Sequence, residues 1–231
     1  MTPAERREAL RAIAARLDGI DREVYAAYGA DPLEPVIGEG DPACRLAVFG
    51  RDPGRQEIEH RVPFIGAGGL KVRRALHEAL YGRPSATLEE HLDAGRRVFW
   101  ANTVPYKPIG NAAWPERVRR EVRPIIADLL VGSWRGADVL ALGKEALLWF
   151  ADTPQERARL LAHWARPDAF GAPVQVTLRA GDAARDLTVH ALPHPSPLNA
   201  TWAPRFPGLI ADRLRALGWG PSSWRLDGVV G

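Results

Sequence analysis

Apolar residues recur along this chain in two kinds of pattern. Near the N-terminus, Leu10, Ile13, Leu17, Ile20 and Val24 return at three- and four-residue steps, which predicts one apolar helical face. Ahead of them, Thr2-Pro3-Ala4-Glu5 reads as an N-cap, a proline at the first helical position and a capping-box glutamate. A helix is therefore predicted over residues 3–28, ended by Asp31-Pro32-Leu33-Glu34-Pro35, with a loop running on to Pro42. Short, nearly unbroken apolar runs follow at 45–50, 98–102, 138–143 and 187–192, the last with a partner at 174–178. Runs of this length fit strands buried on both faces. Helical patterns separate them at about 71–80, 88–97, 115–130, 144–150 and 155–164, and a last helix near 206–217 stops at Gly218. Strands alternating with helices predict a three-layer α/β sandwich with a mainly parallel central sheet. In such a sheet, ligands bind beyond the carboxyl ends of the strands.

Those ends can be read off directly. The first run enters Gly50-Arg51-Asp52-Pro53-Gly54, the second ends at Asn102-Thr103-Val104-Pro105, and the fourth enters Pro193-His194-Pro195-Ser196-Pro197-Leu198-Asn199. A carboxylate, an amide and an imidazole are thus expected along one edge of the sheet, a hydrolytic or base-reading combination. Singly, each has an ordinary reading: Asp52 as a turn residue, Asn102 as a loop cap, His194 as a surface histidine between prolines. What favours a site is that they occur together, in order, each after an apolar strand.

Composition narrows the classes. A chain of 231 residues suits one α/β domain. No stretch approaches the ~20 apolar residues of a membrane span, and the charged segment from Met1 to Arg16 does not read as a signal sequence. The single cysteine, Cys44, excludes a disulfide framework, a four-cysteine zinc site and a cysteine-ligated iron–sulfur cluster, and points to a reducing, cytoplasmic compartment. A net charge of +3 is too small to predict nucleic-acid binding by itself. The basic set is nearly all arginine, which suits phosphate recognition but also fits a plain compositional bias. His190 and His194 are no metal pair: the flanking prolines forbid a helix, and an extended chain parts the rings by about 13 Å. The segment Gly66-Ala67-Gly68-Gly69-Leu70-Lys71 lacks the Gly-Lys-Ser/Thr ending of a nucleotide-binding loop and reads as a phosphate-contact or close-packing loop.

The motif from Gly50 to Gly54, taken with that from His194 to Asn199, resembles the two signature motifs of the uracil-DNA glycosylase superfamily. Val62-Pro63-Phe64-Ile65-Gly66-Ala67-Gly68-Gly69 is similar to a segment of its iron–sulfur branch, and Asn102 falls where the family keeps its uracil-reading asparagine. The likeness extends over about residues 45–217. With one cysteine, the chain resembles a branch without the cluster. Gly54 stands where the thymine-rejecting branch keeps a tyrosine.

The resemblance implies a monofunctional DNA-repair glycosylase that takes uracil out of the base stack, hydrolyses its N-glycosidic bond and leaves an abasic site, with no cofactor and no metal. Asp52 would orient water and stabilise positive charge on the sugar; His194 would stabilise the departing uracil anion. Asn102 would match uracil's N–H and carbonyl, Phe64 would stack on the ring, and Arg51 and Gly54 would lie beside it. Ser196, Pro197 and Leu198 would meet DNA, Leu198 as a wedge, with Gly68 and Gly69 near the backbone. Apart from the resemblance, Lys107 and Arg205 are phosphate candidates that read more readily as solvated charges. The expected partner is uracil-containing DNA, single- or double-stranded, bound by a monomer with no role at a membrane. Gly54 leaves open another damaged base, such as hypoxanthine or a 5-substituted uracil. A non-catalytic DNA-binding module and a hydrolase of free nucleosides are further alternatives.

Overall fold

A computed structural model describes residues 1–38, 40–197 and 199–226. The strands are β1 (Leu46–Gly50), β2 (Phe99–Asn102), β3 (Asp138–Leu142), β4 (Val174–Ala180) and β5 (Ala183–Leu192). They form one sheet in the order β2-β1-β3-β5-β4. β1, β2, β3 and β5 run parallel, and β4 returns antiparallel against β5. The helices are α1 (Pro3–Ala14), α2 (Arg22–Ala27), α3 (Arg55–His60), α4 (Ala67–Tyr81) and α5 (Leu88–Gly95), then α6 (Glu116–Asp128), α7 (Lys144–Leu148), α8 (Pro154–Trp164) and α9 (Phe206–Ala216).

The unbroken apolar runs have a simple cause: both faces of the sheet are covered. Ala47 and Phe49 of β1, Val139 and Ala141 of β3, and Val189 and Ala191 of β5 face a core shared with Leu10, Ile13, Val118, Val122 and Leu160. Their neighbours Leu46, Val48, Leu140, Leu142 and Leu192 face the opposite core, with Val72, Leu76, Phe206 and Ile210. Side chains alternate across a strand, but here each side meets a helix layer. The expected three-layer α/β sandwich with a mainly parallel sheet is what the chain forms.

The N-terminal helix expected over 3–28 is two helices instead. After α1 the backbone leaves the helix so that Ile20 bridges to Pro108. The Asp21 amide donates to the Lys107 carbonyl at 3.0 Å, and the Ile109 amide to the Gly19 carbonyl at 3.0 Å. Asp21 then caps α2 through its side chain. Leu17 and Ile20 stay buried, so the apolar spacing persists across a break it does not reveal. The short helix α3, polar on most of its length, also has no counterpart in the apolar pattern. Among the described residues no helix is long and apolar enough to cross a membrane.

Candidate functional site

The ends of β1 and β2 stay bonded beyond the sheet. The Thr103 amide donates to the Gly50 carbonyl at 2.9 Å and the Val104 amide to the Arg51 carbonyl at 3.2 Å. This fixes the turn that carries Asp52. On the other side of β3, the chain leaves β5 at Leu192 and turns through Pro193, His194 and Pro195. The space between the two turns is a cleft of about 540 Å³, lined by Gly50, Arg51, Asp52, Gly54, Phe64, Gly68, Gly69, Asn111, His194, Ser196 and Pro197, among others. Asp52 and His194 therefore open into one cavity.

The Asp52 side chain is only 4% exposed, and the Arg51 Nε donates to it at 3.0 Å. Burial pushes its carboxyl up to about 6, against the opposing pull of Arg51 and, more weakly, of Lys107 and Arg119. Arg51 is held on its far side too, donating from Nη2 to the Asn111 carbonyl at 2.9 Å. Its guanidinium is thus engaged within the protein rather than held out for a phosphate.

His194 lies at the rim, exposed by surface area, yet the protein around its ring makes desolvation the leading influence. Together with the positive Arg51, this holds its pKa below the ordinary histidine value. Its Nδ1 accepts from the Ser196 amide at 3.2 Å, so in the neutral ring the proton sits on Nε2. The Asn199 side-chain amide donates to the His194 carbonyl at 3.2 Å and ties the loop back on itself. At neutral pH the cleft presents an anion on one wall and an uncharged N–H donor on the other.

Asn102 is the register partner of Gly50. It is 4% exposed, and its Oδ1 is buried without a hydrogen-bond partner among the described residues. Such an acceptor is costly unless something donates to it. Asn102 does not itself line the cleft; it lies beside Gly50 next to the ring of Phe64. A Cβ placed on Gly50 would fall 2.6 Å from that ring and 3.9 Å from the Asn102 Nδ2. Phe64 is half-buried, stacked on Trp100 with centroids 4.9 Å apart, and still borders the cleft.

The remaining expected residues divide. Gly69 is set by packing, since a Cβ there would lie 2.1 Å from the Phe64 carbonyl oxygen, and Gly68 packs on Pro195. Pro197 is exposed and Ser196 half-exposed at the cleft mouth. Leu198, the expected wedge, lies outside the described residues. Lys107 is not a phosphate contact: it is 4% exposed and donates to Asp21 at 2.9 Å and to the Pro108 carbonyl. Arg205 is exposed, over the Trp202 ring. His190 is committed to Asp138 at 2.9 Å. Among the described residues no group of three or more His, Cys, Asp or Glu side chains is placed to hold a metal ion.

Two buried charged residues that the motifs did not single out shape this cleft. Glu57, in α3, accepts from the Gly54 amide at 2.9 Å and from the Gly66 amide at 2.7 Å. Its spacing three residues after Gly54 is that of a capping box, a signal present in the sequence. Arg73, in α4, is fully buried. It donates to the carbonyls of Phe64 at 2.9 Å, Pro63 at 2.7 Å and His91 at 3.3 Å, and lies 4.5 Å over the Trp100 ring. No local pattern marks it.

A family model described as the uracil DNA glycosylase superfamily matches residues 37–218, which include every element of this cleft. A comparison with curated proteins finds no match.

Proposed function

The chain belongs to the uracil DNA glycosylase superfamily, and as such is a DNA glycosylase; from that premise we propose that it is a monofunctional enzyme that hydrolyses the N-glycosidic bond of uracil in DNA and leaves an abasic site. One observation carries the reading: Asp52 and His194 open into the same cleft, one an anion above about pH 6, the other a neutral donor with its tautomer set by the Ser196 amide.

Breaking the bond leaves positive charge on the deoxyribose and negative charge on the base. Ionised Asp52 stabilises the first and orients a water toward the sugar carbon. That water adds its oxygen to the sugar and passes a proton to the Asp52 carboxylate, which gives it up to solvent to restore the anion. The base leaves with the bonding electron pair as an anion. The His194 Nε2–H donates to its carbonyl oxygen, as a donor does in an oxyanion hole, a contribution of about 10²–10³ in rate. A neutral imidazole serves this role without needing a proton from solvent. Asn102 lies behind Gly50 and the Phe64 ring and meets the base once that ring shifts: its Oδ1, without a partner among the described residues, then accepts from the ring N–H of uracil, and its amide N–H donates to the adjacent carbonyl. Cytosine lacks that N–H and would leave the oxygen unpaired, at about 1–3 kcal/mol. Phe64 offers its open face to the base, and Ser196 and Pro197 meet the flanking backbone.

A second reading has its own observation. Gly54 brings no side chain into the cleft, which favours release of 5-substituted uracils as well. One panel tests both: oligonucleotides carrying uracil, thymine, hypoxanthine or 5-hydroxymethyluracil, single- and double-stranded, scored for abasic sites. Uracil release lost in Asp52→Ala with DNA binding retained is the expected result. An unchanged rate in that variant would remove Asp52 from the mechanism.

A further inference from the structure

We propose that Glu57 is a positioning residue that sets the width of the base cleft, and with it which bases enter. This rests on the glycosylase reading of the same cleft. Glu57 is 8% exposed, and each carboxylate oxygen accepts one backbone amide. Those amides belong to two different loops that line the cleft. Gly54 lies in the turn after β1, and Gly66 caps α4 at the end of the Phe64 loop. Both walls border the cavity that holds Asp52 and His194. A carboxylate is a rigid planar fork, so two bonds of 2.9 and 2.7 Å fix the distance between the loops.

The two glycines belong to the same device. A Cβ on Gly54 would lie 2.9 Å from Oε2, and one on Gly66 would lie 2.9 Å from Oε1. Neither wall can gain a side chain without displacing the glutamate. The residue thus keeps both walls bare and holds them at one spacing. A substituent on the base ring is accepted or refused against that spacing.

Charge matters as much as shape. Two N–H donors need two acceptors, and only a carboxylate supplies both. Glu57→Gln keeps the outline but turns one acceptor into a donor facing an N–H, so one attachment is lost while the fold is kept. Gly54→Ala attacks the same contact from the other partner.

The test compares wild type, Glu57→Gln, Gly54→Ala, Glu57→Ala and the Gly54→Ala/Glu57→Ala double variant. Each is assayed for kcat/KM on uracil and on 5-hydroxymethyluracil in one oligonucleotide context, beside its melting temperature. A wall displaced by about 1 Å lowers kcat/KM roughly 10- to 100-fold. We expect Glu57→Gln and Gly54→Ala each to do so, and to change the ratio between the two bases. Gly54→Ala is expected to cost much less where Glu57 is already alanine. A general loss of stability would lower both bases alike and leave the ratio fixed. Folded Glu57→Gln with an unchanged ratio overturns the proposal, and so do Gly54→Ala and Glu57→Ala effects that simply multiply. If Glu57→Gln fails to fold, Gly54→Ala decides alone by the same ratio. Wild type that releases a different base defeats the uracil reading, and the ratio is then taken on that base. Wild type that releases none has the ratio taken from binding of the same oligonucleotides.

Discussion

Asp52 is kept ionisable at a cost to the fold. Its carboxyl rises from 3.8 to about 6 because burial penalises the charged form more than Arg51 compensates. The folded chain therefore holds this proton more tightly than the unfolded chain. The penalty is absent below the unfolded value, grows as pH rises, and is fully present above about 6, where it amounts to about 3 kcal/mol. Asp52→Asn is expected to be more stable than wild type at pH 7 and nearly equal at pH 3.5. Urea denaturation at the two pH values checks this, and an advantage that shrinks as pH rises would contradict it. The same ionisation governs turnover: kcat/KM is expected to be level above pH 7 and to fall below about 6 as Asp52 takes up its proton. Asp52 and His194 were legible in the sequence because glycines and prolines mark the strand ends that carry them. Glu57 was legible only in part, since its capping-box spacing announces the bond to the Gly54 amide but not the one to Gly66; Arg73 was not, because its partners are backbone carbonyls that no spacing of side chains announces.

At the scale of elements, the Phe64 loop is held from both ends by opposite charges. Arg73 donates to its carbonyls at Pro63 and Phe64, and Glu57 accepts from its amide at Gly66. This fixation sustains Phe64 in a left-handed conformation, φ 54°, unusual for an aromatic residue. Arg73→Met leaves carbonyls buried without donors, at about 1–3 kcal/mol each. We expect a loss of about 2–5 kcal/mol in stability and, in the folded fraction, weaker base binding expressed in KM. A denaturation midpoint equal to wild type would refute the first part. The layering of helices on the sheet could be read from apolar runs, because burial on both faces leaves strands unbroken by polar residues. The break between α1 and α2 could not. Leu10, Ile13, Leu17 and Ile20 all reach one core whether or not the backbone between them is helical.

For the whole molecule, a net charge of +3 spread over many internal ion pairs leaves little long-range attraction for a polyanion. Affinity for DNA must come from contacts around the cleft mouth. Binding of uracil-containing duplex is expected to weaken with salt at a shallow slope, of a few phosphates only. A fluorescence titration between low and physiological salt measures it; a slope near zero would favour a free nucleoside as substrate. The topology makes the cleft possible at all. Asp52 follows β1 and His194 follows β5, and the strand between them is β3. That strand is followed by Gly143, at φ 97°, where a Cβ would stand 3.3 Å from the Cβ of His194. The bare Cα of Gly143 therefore leaves the room in which His194 sits. Gly143→Ala is expected to press His194 out of position and lower abasic-site formation although no acid, amide or imidazole has been removed; a rate equal to wild type would contradict this.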